Sequence, residues 1–282
     1  MKRILLNGTP HLPIGLGTWH MGDQKNKRAA EIEALQTGLA QGATIIDTAE
    51  MYGEGNSERL VGEAIQPFNR KELYLISKIY PWNASLQKLP NHLEATLQRL
   101  NTDYLDLYLL HWTGEIPLAE TVAAMEQAQK AGKILRWGVS NFDVADMEEL
   151  WQIPEGKNCL TNEVLYNLGS RGIEFDLSPW MREKKLPLIA YSPIAQGDSL
   201  GNDFQKNPVL LEIAQAHQCS VFQLLLAWTL RDNQTIAIPQ SSNKEHVLDN
   251  LQAAELELTE AEWQKIDAAF PKPTTKQPLA VL

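Results

Sequence analysis

The sequence predicts an α/β protein built as one closed barrel of eight parallel strands, each followed by a helix. Three observations carry that expectation. Eight short, β-branched apolar runs recur along the chain, with helical-period stretches between them. The runs are continuously apolar rather than alternating, as strands buried on both faces are. The chain has 282 residues, a usual length for one such barrel.

In chain order, residues 4–7, Gly8 and residues 11–12 read as a small N-terminal β-hairpin. Barrel strands are expected at 14–18, 44–48, 73–78, 105–111, 135–140, 160–164, 188–191 and 235–239. The helices between them fall at 27–41, 57–64, 85–100, 118–130, 144–151, 173–182 and 220–230, and another at 244–253 follows the last strand. Extra helical pieces lie at 208–217 and, as a C-terminal addition, 259–268. Ser57 and Ser220 are placed as N-caps, because a hydroxyl there accepts from a free helix N–H. Gly42 and Gly132 follow helices where a left-handed residue is needed. Eight alternations favour a closed (β/α)8 TIM barrel over an open doubly wound sheet. The open sheet normally carries a G-x-G-x-x-G turn, but after Gly15 and Gly17 the third glycine, Gly22, comes two residues late. No repeat, low-complexity segment or linker interrupts residues 1–282, which read as a single domain. The stretch 271–282 is loop-like and is expected either to be mobile or to lie over the barrel mouth.

Composition excludes several function classes. The net charge is −10 and the pI about 5.1, so nucleic acid and anionic membrane surfaces are poor partners. No window approaches the ~20 apolar residues of a membrane helix, and the apolar run after Arg3 is too short for a signal peptide. Two cysteines, Cys159 and Cys219, argue against a disulfide framework and for the cytoplasm. His217 precedes Cys219 by two residues, but no further His or Cys is near, so no metal site is expected.

In a parallel barrel the C-terminal strand ends share one mouth. Those ends supply Asp47, Lys78 and His111, and the turn after Asp47 carries Tyr52 between glycines. Each alone has a bland reading, since strand ends are polar anyway. Four together on consecutive strands suggest a site. A free tyrosine has a pKa near ~10 and is a weak acid at neutral pH. A lysine cation beside it is expected to lower that value, with Asp47 holding the lysine charged. A neutral His111 would orient a substrate oxygen. The set describes a general acid aimed at a carbonyl oxygen. It lacks a serine or cysteine nucleophile with a paired base, and the His-rich spacings of metal hydrolases. The attacking group must then be carried in, and hydride from a nicotinamide fits.

Seven stretches in order, "GLGTWHMG", "IIDTAEMYGEGNSERLVGEAI", "LISKIYPW", "NTDYLDLYLLHW", "GKILRWGVSNFD", "IAYSPIAQG" and "IPQSSNKEHVLDN", give the chain a resemblance to the aldo-keto reductases over about residues 4–270. Among these it looks most like bacterial reductases of small aldehydes such as methylglyoxal. The resemblance implies Tyr52 as general acid, tuned by Lys78 and Asp47, with His111 as orienting group. Trp19, Tyr52, Trp82, His111 and Trp112 would line the substrate pocket. NADPH is the implied cofactor, with NADH possible. Gly17, Thr18, Trp19 and Asp47 would border it, and Ser140, Asn141 and Glu163 would meet the nicotinamide carboxamide. Tyr191 would stack on the ring. Ser192, Ile194, Gln196 and Gly197 would pass over the pyrophosphate. Gln240, Ser241, Ser242, His246 and Asn250 would surround the adenosine end. A monomer acting on a small carbonyl compound is implied.

Three positions depart from the family pattern. Glu163 stands where glutamine is usual, and an ionised carboxylate only accepts hydrogen bonds. Gln240 and His246 stand where lysine and arginine often meet the 2′-phosphate, which weakens the argument for NADPH. Lys244 and the helix start after Ser242 offer partial compensation. In the turn and helix after Tyr52, Glu54, Glu58 and Glu63 read as solvated helix-face charges. Two other functions compete: a Schiff-base aldolase using Lys78, and a nucleotide-binding module without turnover.

Overall fold

The computed structural model describes residues 3–6, 8–195 and 204–282. Strands β1 (Ile4–Leu6) and β2 (Thr9–His11) form the expected antiparallel hairpin, turning at Gly8 with φ of 80°. Eight parallel strands follow: β3 (Leu16–Gly17), β4 (Ile45–Asp47), β5 (Tyr74–Ile79), β6 (Leu105–Leu110), β7 (Ile134–Ser140), β8 (Asn162–Leu165), β9 (Leu188–Tyr191) and β10 (Thr235–Ala237). Each pairs with its sequence neighbour. The seam between first and last strands is closed by parallel bridges from Ile14 to Ala237 and Gly17 to Gln240. At that seam a Cβ on Gly17 would sit 2.5 Å from the Ile238 carbonyl oxygen. Gly17 is therefore a close-approach glycine of the barrel seam rather than part of a phosphate fingerprint.

Helices α1 (Arg28–Ala40), α2 (Asn56–Ala64), α3 (Leu89–Leu100), α4 (Leu118–Lys130), α5 (Val144–Gln152) and α6 (Leu177–Glu183) follow β3 to β8. Two helices, α7 (Pro208–Ala216) and α8 (Val221–Thr229), follow β9. The last strand is followed by α9 (Lys244–Gln252), and α10 (Glu260–Ala269) is the extra C-terminal helix. Ser220 caps α8 in a reciprocal capping box with Gln223, as its sequence position suggested. Gly42 and Gly132 take φ of 91° and 71° just past α1 and α4. Two starts differ from expectation. Regular helix begins at Leu89 rather than 85, and at Leu177 rather than 173, where a short 3₁₀ turn (Gly172–Glu174) comes first. Ser57 is not an N-cap: Gly55 precedes the helix, and Ser57 is already buried in its first turn.

The strand period of two decides what reaches the mouth. One core fills the barrel interior with Ile45, Tyr74, Ile76, Leu107, Leu109, Ile189, Ile236 and Ile238, and Ile4 and Leu6 of the hairpin join it. A larger core packs strands against helices. Stepping two residues from the interior set, Ile45 leads to Asp47, Ile76 to Lys78, Leu109 to His111 and Ile189 to Tyr191. The register places Glu163 beside Ile189 and Ser140 beside Glu163. The same alternation that packs the interior therefore sends these polar side chains to one end of it.

Candidate active site

Asp47 ends β4, and the chain then turns back through Tyr52. Gly53, Glu54 and Gly55 take φ of 56°, 53° and 82° in succession. Glycine adopts such angles freely, while Glu54 is held there by its neighbours. Helix α2 is pinned under this turn: Ser57 Oγ lies 2.7 Å from Thr18 Oγ1 and 3.0 Å from Thr48 Oγ1, and Thr18 Oγ1 donates to the Asp47 carbonyl at 2.8 Å. Glu58 corrects the expectation of a solvated charge. It is fully buried, accepts from Ser77 Oγ at 2.6 Å and pairs with Arg99. Glu54 is exposed, and Glu63 pairs with Arg28 at the surface. Glu50 is buried, accepts from the Tyr80 N–H and Asn83 Nδ2, and lies 3.0 Å from His92 Nδ1, which ties the turn to the loop after β5.

Lys78 is the hub. Its Nζ lies 2.6 and 2.8 Å from the two Asp47 oxygens, 3.2 Å from the Thr48 carbonyl and 3.0 Å from the Tyr52 hydroxyl. Glu163 Oε1 is 3.3 Å away. The Tyr52 and His111 rings meet edge to face, with centroids 6.0 Å apart. The four residues singled out at the strand ends are thus brought together.

The electrostatics follow from burial. Desolvation opposes the Lys78 charge, but the adjacent Asp47 carboxylate, foremost among its neighbours, outweighs it and holds its pKa well above the ordinary lysine value. His111 moves the other way: burial and the Lys78 cation push its imidazole down to about 2, so it is neutral at every working pH. The Tyr52 expectation is overturned in direction. Burial raises the phenol pKa, and the Lys78 cation only partly opposes it, with the Asp47 carboxylate pushing the same way as burial. Tyr52 therefore rests firmly protonated.

The neutral His111 has a consequence for folding. Its unfolded pKa is near 6.5, and its folded pKa is depressed. The stability it contributes is present above pH 6.5 and is lost as pH falls, because the unfolded chain takes up a proton first. Between pH 7.5 and 5 this loss is about 2 kcal/mol. Urea unfolding of wild type and His111→Asn at the two pH values is expected to show a shallower acid loss in the variant. Parallel losses would mean that His111 is not buried neutral.

Beside the tetrad opens a cavity of about 530 Å³. Gly17, Thr18, Trp19, Asp47, Tyr52 and His111 line it, with Ser140, Asn141, Glu163, Tyr191, Ser192, Ile194 and Gln240. His20, Met51, Pro193, Ile238, Pro239 and Leu282 also line it and were not singled out from sequence. Leu282 places the end of the 271–282 stretch at the mouth, and Lys276 anchors that stretch to Asp143 and Asp176 at 3.0 Å each. Three non-glycine lining residues, His20, Asn141 and Ser192, hold φ of 66°, 59° and 47°, the kind of backbone strain that functional pockets keep. Asn141 Nδ2 donates to the His111 carbonyl at 3.2 Å, and the Tyr191 hydroxyl donates to Asn141 Oδ1 at 2.9 Å.

Other sequence candidates lie elsewhere. Trp82 and Trp112 do not line the cavity. They form a rim cluster with Tyr80, whose ring stacks on Trp82 at 4.4 Å, while Trp112 lies 4.8 Å from the His111 ring. Ser241 and Asn250 border a smaller pocket behind the seam. Ser242 and His246 line neither pocket. Ser242 Oγ accepts from Gln240 Nε2 at 3.2 Å, and the Glu245 and His246 N–H groups that open α9 are taken by Asn243 Oδ1. Lys244 is engaged with Glu33 at 2.7 Å. Gln196 and Gly197 lie outside the described residues.

The family profile described as "Aldo/keto reductase family" matches residues 13–270. The chain belongs to the aldo/keto reductase family. The methylglyoxal reductase YeaE of Escherichia coli K12 is 52% identical over 99% of this chain and 98% of its own length. Two solved aldo/keto reductase structures from Klebsiella pneumoniae, one with NADP and acetate and one with NADPH, are each 45% identical. They superpose with TM-scores of 0.96 and 0.95, covering 98% of this chain and 97% and 96% of theirs.

Proposed function

We propose that this chain is an NADPH-dependent reductase of small aldehydes and 2-oxoaldehydes of the methylglyoxal kind, with Tyr52 as the proton donor. The observation that carries the reading is a protonated phenol 3.0 Å from a buried ammonium, facing a cavity of ligand size. The likeness to YeaE and to the NADP-bound relatives supports the substrate class and the cofactor.

The residues present fit a nicotinamide. Glu163 Oε2 is buried with no hydrogen-bond partner, and it lies in a cavity that also presents Ser140, Asn141 and the Tyr191 ring. Such a set offers a face for a flat ring and polar atoms for an amide. A bound dihydronicotinamide supplies hydride to the carbonyl carbon. Reduction then needs one proton on the oxygen, and the chain's own groups provide it. Neutral His111 orients the carbonyl oxygen with one ring N–H. Tyr52 donates its proton to that oxygen as negative charge grows there, and Lys78 stabilises the phenolate left behind. Asp47 keeps Lys78 charged. Five oxygens within 3.3 Å enclose the ammonium, which argues against Lys78 as a free amine forming a Schiff base. Trp19 and Met51 wall the cavity on the substrate side. A monomer suffices, since one chain carries every group invoked.

Steady-state reduction of methylglyoxal, an aromatic aldehyde and a sugar with NADPH and NADH tests the reading. The expected order of kcat/KM puts methylglyoxal first and NADPH above NADH. No turnover with any pair would overturn it. For the 2′-phosphate, Gln240→Lys is expected to tighten NADPH by about 1 kcal/mol, roughly five-fold, with little change for NADH. Fluorescence titration reads both. Equal shifts would place the phosphate away from residue 240.

A further inference from the structure

Asp47, Lys78 and Glu163 are each no more than 1% exposed. Two carboxyl groups thus share one ammonium, all three nearly unexposed, at the wall of the cavity, and a net negative charge there is costly. No lysine or arginine lines the cavity among the described residues. The other ionisable groups facing it bring no compensating charge. Tyr52 comes from the turn after β4, His111 from the end of β6 and Tyr191 from β9; both phenols hold their protons and His111 is neutral. His20, at the outer rim, lies 3.0 Å from Asp23.

We propose that Glu163 holds a proton at neutral pH, so that the chain presents an uncharged carboxyl, both donor and acceptor, to the carboxamide of the nicotinamide. The proton assignment stands on the geometry; the ligand half rests on the function proposed above. Asp47 places both oxygens on Lys78, at 2.6 and 2.8 Å. Glu163 has a single longer contact at 3.3 Å, and its other oxygen has no partner. The ammonium therefore stabilises the Asp47 charge first, and the remaining proton belongs on Glu163. Burial and the adjacent Asp47 drive its carboxyl well above the ordinary range, in the same direction. An ionised Glu163 would only accept hydrogen bonds, whereas a protonated one can donate to the carboxamide oxygen. Cofactor affinity is then linked to this proton. It is full below the folded pKa of Glu163 and falls by up to tenfold per pH unit above it.

Infrared spectra of the ligand-free protein at pH 7, in H₂O and D₂O, test the first half. Wild type is expected to show a buried carboxylic-acid C=O stretch that shifts on deuteration, weakens as pH is raised, and is missing from Glu163→Gln. Identical spectra for wild type and variant would overturn the assignment. Fluorescence titration with NADPH from pH 7.5 to 10, above the phosphate's ionisation, tests the second. Wild-type affinity is expected to fall with pH while that of Glu163→Gln stays flat. Parallel curves would overturn the ligand half. A carboxyl band assigned to Glu163 in a protein that binds no NADPH at any pH would support the proton and overturn the nicotinamide reading, which keeps the two failures apart.

Discussion

Tyr52→Phe is expected to lower kcat/KM for methylglyoxal by about 10² to 10⁴-fold, with NADPH affinity nearly unchanged. The substitution removes one oxygen and leaves the ring, so the edge-to-face contact with His111 persists. Lys78 loses one of five oxygen neighbours and keeps both Asp47 contacts, so stability should drop by only about 1 kcal/mol. What disappears is the proton. His111 cannot replace Tyr52 as an acid, because its imidazole carries no extra proton above a pH of about 2. The direction of the Tyr52 shift sharpens the prediction. A phenol held protonated by burial stays ready at neutral pH and gives its proton up only when negative charge develops beside it. Wild-type kcat should therefore show no titration from Tyr52 or His111 between about pH 5 and 9, a range well inside the gap between the two displaced pKa values. Following NADPH oxidation by absorbance, with binding measured separately by fluorescence, checks both parts. Wild-type turnover in the variant would remove Tyr52 from the mechanism.

How far the sequence discloses this site depends on the kind of force that sets each feature. A short apolar run is a local signal, so Asp47, Lys78 and His111 could be placed at the C-terminal strand ends, and the fold then sets each two residues on from Ile45, Ile76 and Leu109. Glycine spacing around Tyr52 was equally legible, because three left-handed residues in a row need glycine at two of them. Burial is not local, and the misreadings concentrate there. Glu58 looked like a surface charge, since nothing nearby in sequence announces Arg99 forty-one residues on. Ser57 looked like a cap for the same reason: its partners Thr18 and Thr48 come from two other strand ends. The Tyr52 pKa depends on a balance between desolvation and one cation, and only the folded chain fixes that balance. Trp82 and Trp112 were assigned to the pocket through the family resemblance, and the fold clusters them with Tyr80, next to His111. Glu163 was visible as a departure from the family pattern. Its missing partner and its closeness to Lys78 were not.

Lys78→Met is expected to abolish turnover and to destabilise the fold by about 3–5 kcal/mol near neutral pH. Methionine replaces most of the volume, so the loss is that of a cation rather than of packing. Without it Asp47 is a carboxylate that is 1% exposed, with no countercharge. It must either remain ionised in a low-dielectric site or take up a proton. Burial already raises its folded pKa in wild type, and loss of the cation raises it further above the unfolded value near 3.9. A group with a raised folded pKa contributes its stability below the unfolded pKa and loses it as pH rises through the folded one. The deficit of the variant relative to wild type should therefore be small near pH 4 and grow toward pH 7.5, as urea unfolding across that range would show. A deficit independent of pH would mean that Lys78 acts through packing. Adding Asp47→Asn to Lys78→Met removes the stranded charge and should return much of the lost stability without restoring activity, because an ion pair replaced on both sides leaves nothing unpaired. Stability and catalysis then separate: the fold needs the two charges to balance, whereas the proton transfer needs the positive one to stand 3.0 Å from the Tyr52 oxygen.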